Sequence, residues 1–294
     1  MNDILQTLTS GTALGCLYAV IALGFVVIIR ASGVLNLAQG VFVLLGAYVT
    51  YSFTTAGVPF FLALILSMIV CAALSILIEA FVVHRISTDL FTSLLVTFGL
   101  AIIAPPIITA IWGPFQLNLH DPWGLDVLRL GPVAITQRDL YLIIATGILV
   151  LAFFLFFRYS KFGLLLRATA MDSEAALAQG VSTRFVFGLS WALAGALGAF
   201  AGTMLATTVG GGVRPGLEHY ALLALPVIIL GGLDSPLGAV IGGLIIGIVQ
   251  QFSVTMIGDR LGSGFADVVP YLVLVIIMLV RPTGLFGSKR VRRA

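Results

Sequence analysis

Nine apolar stretches follow one another along this chain with little between them: 8–29, 34–53, 59–83, 90–112, 140–157, 185–209, 220–233, 236–257 and 265–280. A helix needs about 20 apolar residues to cross the hydrocarbon core of a bilayer, and most of these runs meet that length. Lipid offers no partner for backbone N–H and C=O groups, so a crossing segment must satisfy them internally, as a helix does. Of the 294 residues, 60% are hydrophobic and 9% charged. Soluble proteins carry about 25% charged residues, so the composition excludes a soluble enzyme, a nucleic-acid binder and a disordered chain. The expected fold is all-α, a polytopic transmembrane helical bundle of about eight or nine spans. The run 220–233 is short for a crossing and is expected to be a broken or re-entrant piece.

With nine crossings and the N-terminus outside, the cytoplasmic segments hold Arg30, Arg85, Arg158, Lys161, Arg167, Arg184, Arg281, Lys289, Arg290, Arg292 and Arg293. Only Arg129, Arg138, Arg214 and Arg260 fall elsewhere. The positive-inside bias therefore places the N-terminus outside and the basic tail, 281–294, in the cytoplasm, where it anchors the last span. Asp3 is the one charge before the first run, which does not fit a cleaved signal peptide. The chain reads as a single membrane domain, 1–294, with an outer loop at 113–139 and an inner loop at 158–184. The inner loop is the most polar stretch and is expected to form an amphipathic helix at the cytoplasmic surface, with Leu164, Leu165, Ala168 and Met171 at helical spacing. Asp172 or Ser173 would cap a second turn starting near Glu174. The halves carry a faint suggestion of an inverted repeat.

Several chemistries are missing. The two lysines, Lys161 and Lys289, lie in no phosphate-binding loop. The histidines His84, His120 and His219 are far apart and form no metal motif, and Cys16 and Cys71 read as small packing residues in apolar runs. No cofactor or metal is expected on this chain. Glu79 is the main acid inside a run, close to His84 and Arg85, and Asp267 lies near the start of the last run.

What the sequence does carry is small and polar. Gly11-x-x-x-Gly15, Gly198-x-x-x-Gly202, Gly238-x-x-x-Gly242 and Gly243-x-x-x-Gly247 allow close helix approach. Asn36, Gln39 and Gly40 lie within the second apolar run, where two amides require either a helix break lining a path or interhelical hydrogen bonds. Thr92, Ser93, Thr97 and Gly99 form a polar stripe, open to a path or to bonds back onto its own helix. In Gly231-Gly232-Leu233-Asp234-Ser235-Pro236, the glycines end one segment, Asp234 or Ser235 caps the next, and Pro236 opens it.

In the inner loop, Glu174-Ala175-Ala176, three residues and then Gly180 resembles the coupling motif of ABC importer permeases. Its surroundings, Gly163, Arg167, Ala168, Ala170 and then Gly180-Val181, narrow the resemblance to the branched-chain amino acid permeases of the high-affinity leucine/isoleucine/valine uptake type. So do Leu17-Tyr18-Ala19 through Gly24, Gly33-Val34-Leu35-Asn36-Leu37-Ala38-Gln39-Gly40, Leu45-Gly46-Ala47-Tyr48, and Leu230 through Ala239. Gln39 stands where many members carry histidine, and the longer coupling motif's Ile-x-Leu-Pro tail is missing.

The resemblance implies a permease subunit without its own nucleotide site, with ATP and Mg used by partner chains. Those partners are two cytoplasmic ATPases, a second similar permease and a periplasmic or surface substrate-binding protein, in a lipid membrane and without nucleic acid. It implies ATPase coupling through Arg167, Glu174, Ala175, Ala176 and Gly180. A translocation path is expected along Asn36, Gln39, Gly40, Thr92, Ser93, Thr97, Gly231 and Gly232. Two rivals remain: an ion-coupled carrier working through Glu79, and a passive channel suggested by Asn36-Leu37-Ala38.

Overall fold

The computed structural model describes residues 2–86, 89–119, 121–123, 127–130, 133–171, 173–208, 211–262, 264–281 and 284–287. His120, Asp172 and the tail from Lys289 to Arg293 lie outside the described residues, as do the side chains of Ser173 and Glu174. The elements run α1 (Asn2–Ser32), α2 (Gln39–Thr55), α3 (Phe60–Ile78), a π-helical turn (Glu79–Val83), α4 (His84–Ile86), α5 (Leu90–Trp112), β1 (Val127–Leu130), β2 (Val133–Thr136), α6 (Gln137–Tyr159), α7 (Lys161–Met171), α8 (Ser173–Ala178), α9 (Thr183–Ala206), α10 (His219–Leu223), α11 (Leu225–Gly231), α12 (Pro236–Leu261) and α13 (Phe265–Val280).

Each of the nine apolar runs carries helix. Among the described residues, six helices are long and apolar enough to cross a membrane: Ile4–Ser32, Phe60–Ile86, Leu90–Trp112, Gln137–Tyr159, Thr183–Ala206 and Pro236–Met256. The apolar piece His219–Gly231 is short and broken, as expected. Its second half opens with a proline in the first turn, where the missing N–H has no helical partner to lose. The second run turns helical only at Gln39, because Gly33 leaves α1 with φ 73° and the chain stays irregular through Ala38. One addition to the all-α reading is the antiparallel hairpin β1–β2 in the outer loop, in register from Val127↔Thr136 to Leu130↔Val133. Alternation over so few residues is too weak a pattern to read in advance.

Contacts divide the chain into two compact units. The first comprises Met1–Val26, Trp123–Thr146 and Tyr220–Ala294. Here α1 meets α12 through reciprocal glycine pairs: Gly11 and Gly15 lie against the backbone at Gly243, Leu244, Gly247 and Ile248, and a Cβ at any of the four glycines would clash. Backbones this close gain dispersion contacts where lipid gives no hydrophobic drive. Gly238 and Gly231 make the same kind of crossing between α12 and α11. Ser235 is the residue that caps α12, its Oγ accepting from the Gly238 amide at 3.0 Å.

The second unit comprises Val27–Pro122 and Gly147–His219. At its centre α9 packs along both α2 and α3. One face of α9 is glycine: Gly195 sits against Cys71 and Ser75 of α3, while Gly198 and Gly202 sit against Phe42 and Val43 of α2. The hydroxyls of Thr50 and Thr203 meet at 2.7 Å across the α2–α9 seam, and Ser75 donates to the Trp191 carbonyl at 2.7 Å. On α5 the isoleucines Ile102, Ile103, Ile107 and Ile111 remain exposed, an apolar face suited to hydrocarbon.

Candidate functional site: a broken helix, a carboxylate-lined cavity and an inner-loop platform

The break between α1 and α2 is built from local hydrogen bonds. Asn36 Oδ1 accepts from the Ala38 amide at 3.0 Å, closing a turn in place of a helical bond. The Leu37 amide reaches across to Thr97 Oγ1 of α5 at 3.3 Å. Gln39 Nε2 donates to the Ala194 carbonyl of α9 at 3.0 Å. Both amide side chains are fully buried, yet Asn36 Nδ2 and Gln39 Oε1 have no hydrogen-bond partner among the described residues. The two sequence-level alternatives for this segment thus coexist, since the helix breaks at Asn36 and Gln39 bonds between helices. Each side chain keeps one polar atom unanswered in a place where that is costly.

Beside this break, still within the second unit, lies a cavity of about 270 Å³. Ser32, Glu79, His84, Asp89 and Ser93 form its polar wall, and Val34, Val83, Leu90, Phe187 and Trp191 its apolar wall. Glu79 opens the π-helical turn, a rare local widening of the helix that often marks functional positions. Its side chain is 5% exposed, and the nearest base is His84, whose Nδ1 lies 3.8 Å from Oε1. Arg184 acts on it electrostatically. Arg85, near Glu79 in sequence, lies over the Phe81 ring at 5.6 Å.

The polar stripe of α5 divides on inspection. Ser93 and Thr97 are buried, and each donates back to its own helix, Ser93 to Asp89 O at 2.9 Å and Thr97 to Leu94 O at 3.0 Å. Thr97 alone also takes a bond from the break. Thr92 belongs to the helix cap, its amide donating to Asp89 Oδ1 at 2.7 Å. That bond, with a second from the Thr92 hydroxyl, holds the Asp89 carboxyl below its ordinary pKa. Asn36, Gln39, Gly40, Ser93 and Thr97 fall in the second unit, whereas Gly231 and Gly232 lie buried in the first, Gly231 at the α11–α12 crossing and Gly232 against Phe286 and Gly287. Sequence reading missed Phe187 and Trp191, which sit in an apolar run with nothing local to mark them.

The inner loop folds as α7 and α8. Its apolar spacing placed Leu164, Leu165, Ala168 and Met171 on one face. The structure buries Phe162, Gly163, Leu166 and Thr169, with Phe162 and Leu166 packed against Ala31 and Val186 and, of the expected face, only Leu165 partly buried beside them. Aromatic and large aliphatic groups fill the shelf offered by the spans, and Leu164 and Met171 stay exposed, as does Leu177 of α8. Two motif residues converge on one carbonyl: a Cβ at Gly163 would overlap Phe157 O, and Arg167 Nη1 donates to that same oxygen at 3.1 Å. Gly180, at φ 83°, closes α8, its amide donating to Leu177 O at 2.9 Å and that of Val181 to Ala176 O at 3.0 Å. Only glycine takes that left-handed position without strain. Ala176 is buried and Ala175 exposed.

Residues 7–278 match the sequence profile of a family described as branched-chain amino acid transport system / permease component. The high-affinity branched-chain amino acid transport system permease protein LivH of Escherichia coli (strain K12) is 28% identical, with 98% of this chain and 97% of that one aligned. LivH of Salmonella typhimurium is 27% identical over the same shares. BraD of Pseudomonas aeruginosa, described in the same words, is 26% identical over 98% and 97%. With nearly its whole length matched, this multi-pass membrane chain belongs to the family of permease components of branched-chain amino acid transport systems.

Proposed function

We propose that this chain is the membrane-spanning permease subunit of an ABC importer for branched-chain or related aliphatic amino acids. It works in a bacterial inner membrane, with its N-terminus outside and its C-terminus in the cytoplasm. ATP and Mg are handled by two cytoplasmic ATPases, so the chain itself performs no catalysis. A second, similar permease completes the pore, and a periplasmic or surface binding protein delivers the substrate.

The observation that supports this most is the two-sided inner-loop platform. One face of α7 is locked into the spans by Phe162, Leu166 and the Gly163–Arg167 clasp on Phe157. The other face presents Leu164 and Met171, and α8 adds Leu177. A helix held on one side and apolar on the other suits insertion into a groove on an ATPase and transfer of its closure to α9. Glu174 would pair with that partner, the exposed Ala175 would face it, Gly180 would set the exit angle, and Arg167 would transmit the movement. Asn36, Gln39, Gly40, Ser93 and Thr97 would line the path, where weak contacts suffice if selection is left to the binding protein.

Affinity purification of the tagged chain in mild detergent, with mass spectrometry of its companions, tests this reading. Two ATPase chains and a second permease are expected. A homo-oligomer without a nucleotide-binding partner, paired with uptake driven by an ion gradient alone, would move the assignment to a carrier. Gly180→Leu should abolish uptake while leaving membrane insertion intact, since it strains the turn by about 1–2 kcal/mol without touching a span.

A further inference from the structure

We infer that the cavity beside Glu79 is a holding site for the amino acid in transit, with the Glu79 carboxylate receiving the ammonium group. The inference rests on the amino-acid reading above and adds to it a place and a polarity.

The first argument is what Glu79 lacks. Its side chain is buried and borders the cavity, with His84 Nδ1 3.8 Å from Oε1 and Arg184 acting on it electrostatically, and among the described residues no hydrogen bond fills its acceptor positions. An ionised carboxylate has about four such positions, and those of Glu79 stand at the cavity, ready for a donor. Gly188 on the facing helix leaves the space next to Glu79 Oε2 open, since even a Cβ there would remain 3.9 Å away.

The second argument is the balance of donors and acceptors around the cavity. Glu79 and Asp89 contribute carboxylates. Ser32 and Ser93 line it too, but each hydroxyl proton is already given to a backbone carbonyl, that of Ile28 and that of Asp89. Both therefore offer only lone pairs. His84 is left as the one titratable donor on the wall. An ammonium group brings three donors and a positive charge, and it complements such a wall. A free carboxylate meets two carboxylates there and is the poorer match.

Size and the opposite wall complete the fit. At about 270 Å³ the cavity lies just below the usual range of small-molecule sites, about 300–1,000 Å³, which suits a solute as small as an amino acid. Val34, Leu90, Phe187 and Trp191 give the aliphatic side chain an apolar surface. The substrate carboxylate is then turned away from Glu79 and Asp89, toward His84 or the open side.

Trp191 supplies the probe. The chain has three tryptophans. With Trp112→Phe and Trp123→Phe, Trp191 emission in the full chain, held in lipid nanodiscs, reports occupancy of the cavity alone. The ligands are leucine, isopentylamine (leucine without its carboxylate) and isocaproate (leucine without its ammonium). Leucine and isopentylamine should give saturable changes, and isocaproate should bind at least about tenfold more weakly, the scale of one charged hydrogen bond. Glu79→Gln should erase that preference. His84→Ala should tighten isopentylamine binding about twofold or more, because it removes the basic side chain that lies 3.8 Å from Glu79 and competes for it, and loss of structure does not tighten binding.

Equal binding of isocaproate and leucine, a preference that survives Glu79→Gln, loss of binding in both variants, or a flat response to all three ligands would each overturn the inference. Leucine uptake by cells producing the whole importer is measured in parallel. Uptake without cation preference at Trp191 sinks this site and leaves the transport reading intact. A Glu79-dependent preference without leucine uptake does the reverse for the transport reading and upholds the ammonium site.

Discussion

Two glycine-lined seams, one in each unit, are built from the same chemistry and finish differently. Between α1 and α12, Gly11, Gly15, Gly243 and Gly247 bring the backbones together, and the polar groups beside them are paired. The Tyr18 hydroxyl donates to Gln250 Oε1 at 2.7 Å, and the hydroxyls of Thr7 and Thr255 lie 3.3 Å apart. Between α9 and α2, Gly198 and Gly202 do the same work, but Gln39 beside them keeps its Oε1 unpartnered, as Asn36 keeps its Nδ2. A buried polar atom left without a partner costs about 1–3 kcal/mol. The first seam holds helices together. The second holds helices together and also leaves unsatisfied polar atoms next to a helix break.

The comparison breaks most sharply if the glycines are not structural. Gly202→Leu drives a side chain into the Val43 carbonyl and should cost about 3 kcal/mol or more, enough to remove most folded protein from detergent extracts. Gly247→Leu should do the same in the other seam. Wild-type melting temperatures for both, read by size-exclusion survival after heating, would dissolve the comparison at its root.

A finer cut separates the polar groups. Tyr18→Phe should destabilise the chain by about 1–3 kcal/mol by stranding Gln250 Oε1, with uptake per folded molecule unchanged. Gln39→Met should do the opposite. It loses one hydrogen bond but also one orphaned oxygen, so stability should move by less than about 1 kcal/mol while uptake falls about tenfold. If Gln39→Met transports at the wild-type rate and with the same substrate range, its amide is only a strut, and the two seams are alike.

The smallest effect belongs to the cap of α5. The Thr92 amide and hydroxyl hold the exposed Asp89 carboxyl below its ordinary value of 3.8. The folded state therefore favours the charged form, and its stabilisation is complete above that value and lost as pH falls through the lowered one. Melting temperature should be insensitive to Asp89 between about pH 8 and 5, and Asp89→Asn should alter only the slope on the acid side.

Much of this was legible in the chain. The limits of α5 and α13, the broken piece at His219–Gly231, the start of α12 after Ser235 and the turn at Gly180 follow from neighbours a few residues apart. The inner loop shows where that legibility ends. Leu164, Leu165, Ala168 and Met171 made an apolar face at helical spacing, yet of these only Leu165 packs against the spans, beside Phe162 and Leu166, which that face left out. Helical spacing reveals that a face exists, and only the shape of the partner surface decides which face is buried.

The same division runs through the whole molecule. The sequence alone determined that this chain crosses a membrane many times as helices, because lipid acts on each segment separately and every segment must satisfy its own backbone. It also showed that no nucleotide-binding loop accompanies those helices. The tertiary structure decided which amides are paired, that Glu79 borders a cavity with Trp191, and that Arg167 and Gly163 meet at one carbonyl. Those outcomes join residues up to more than a hundred positions apart, through close contacts that glycine permits but does not by its spacing specify.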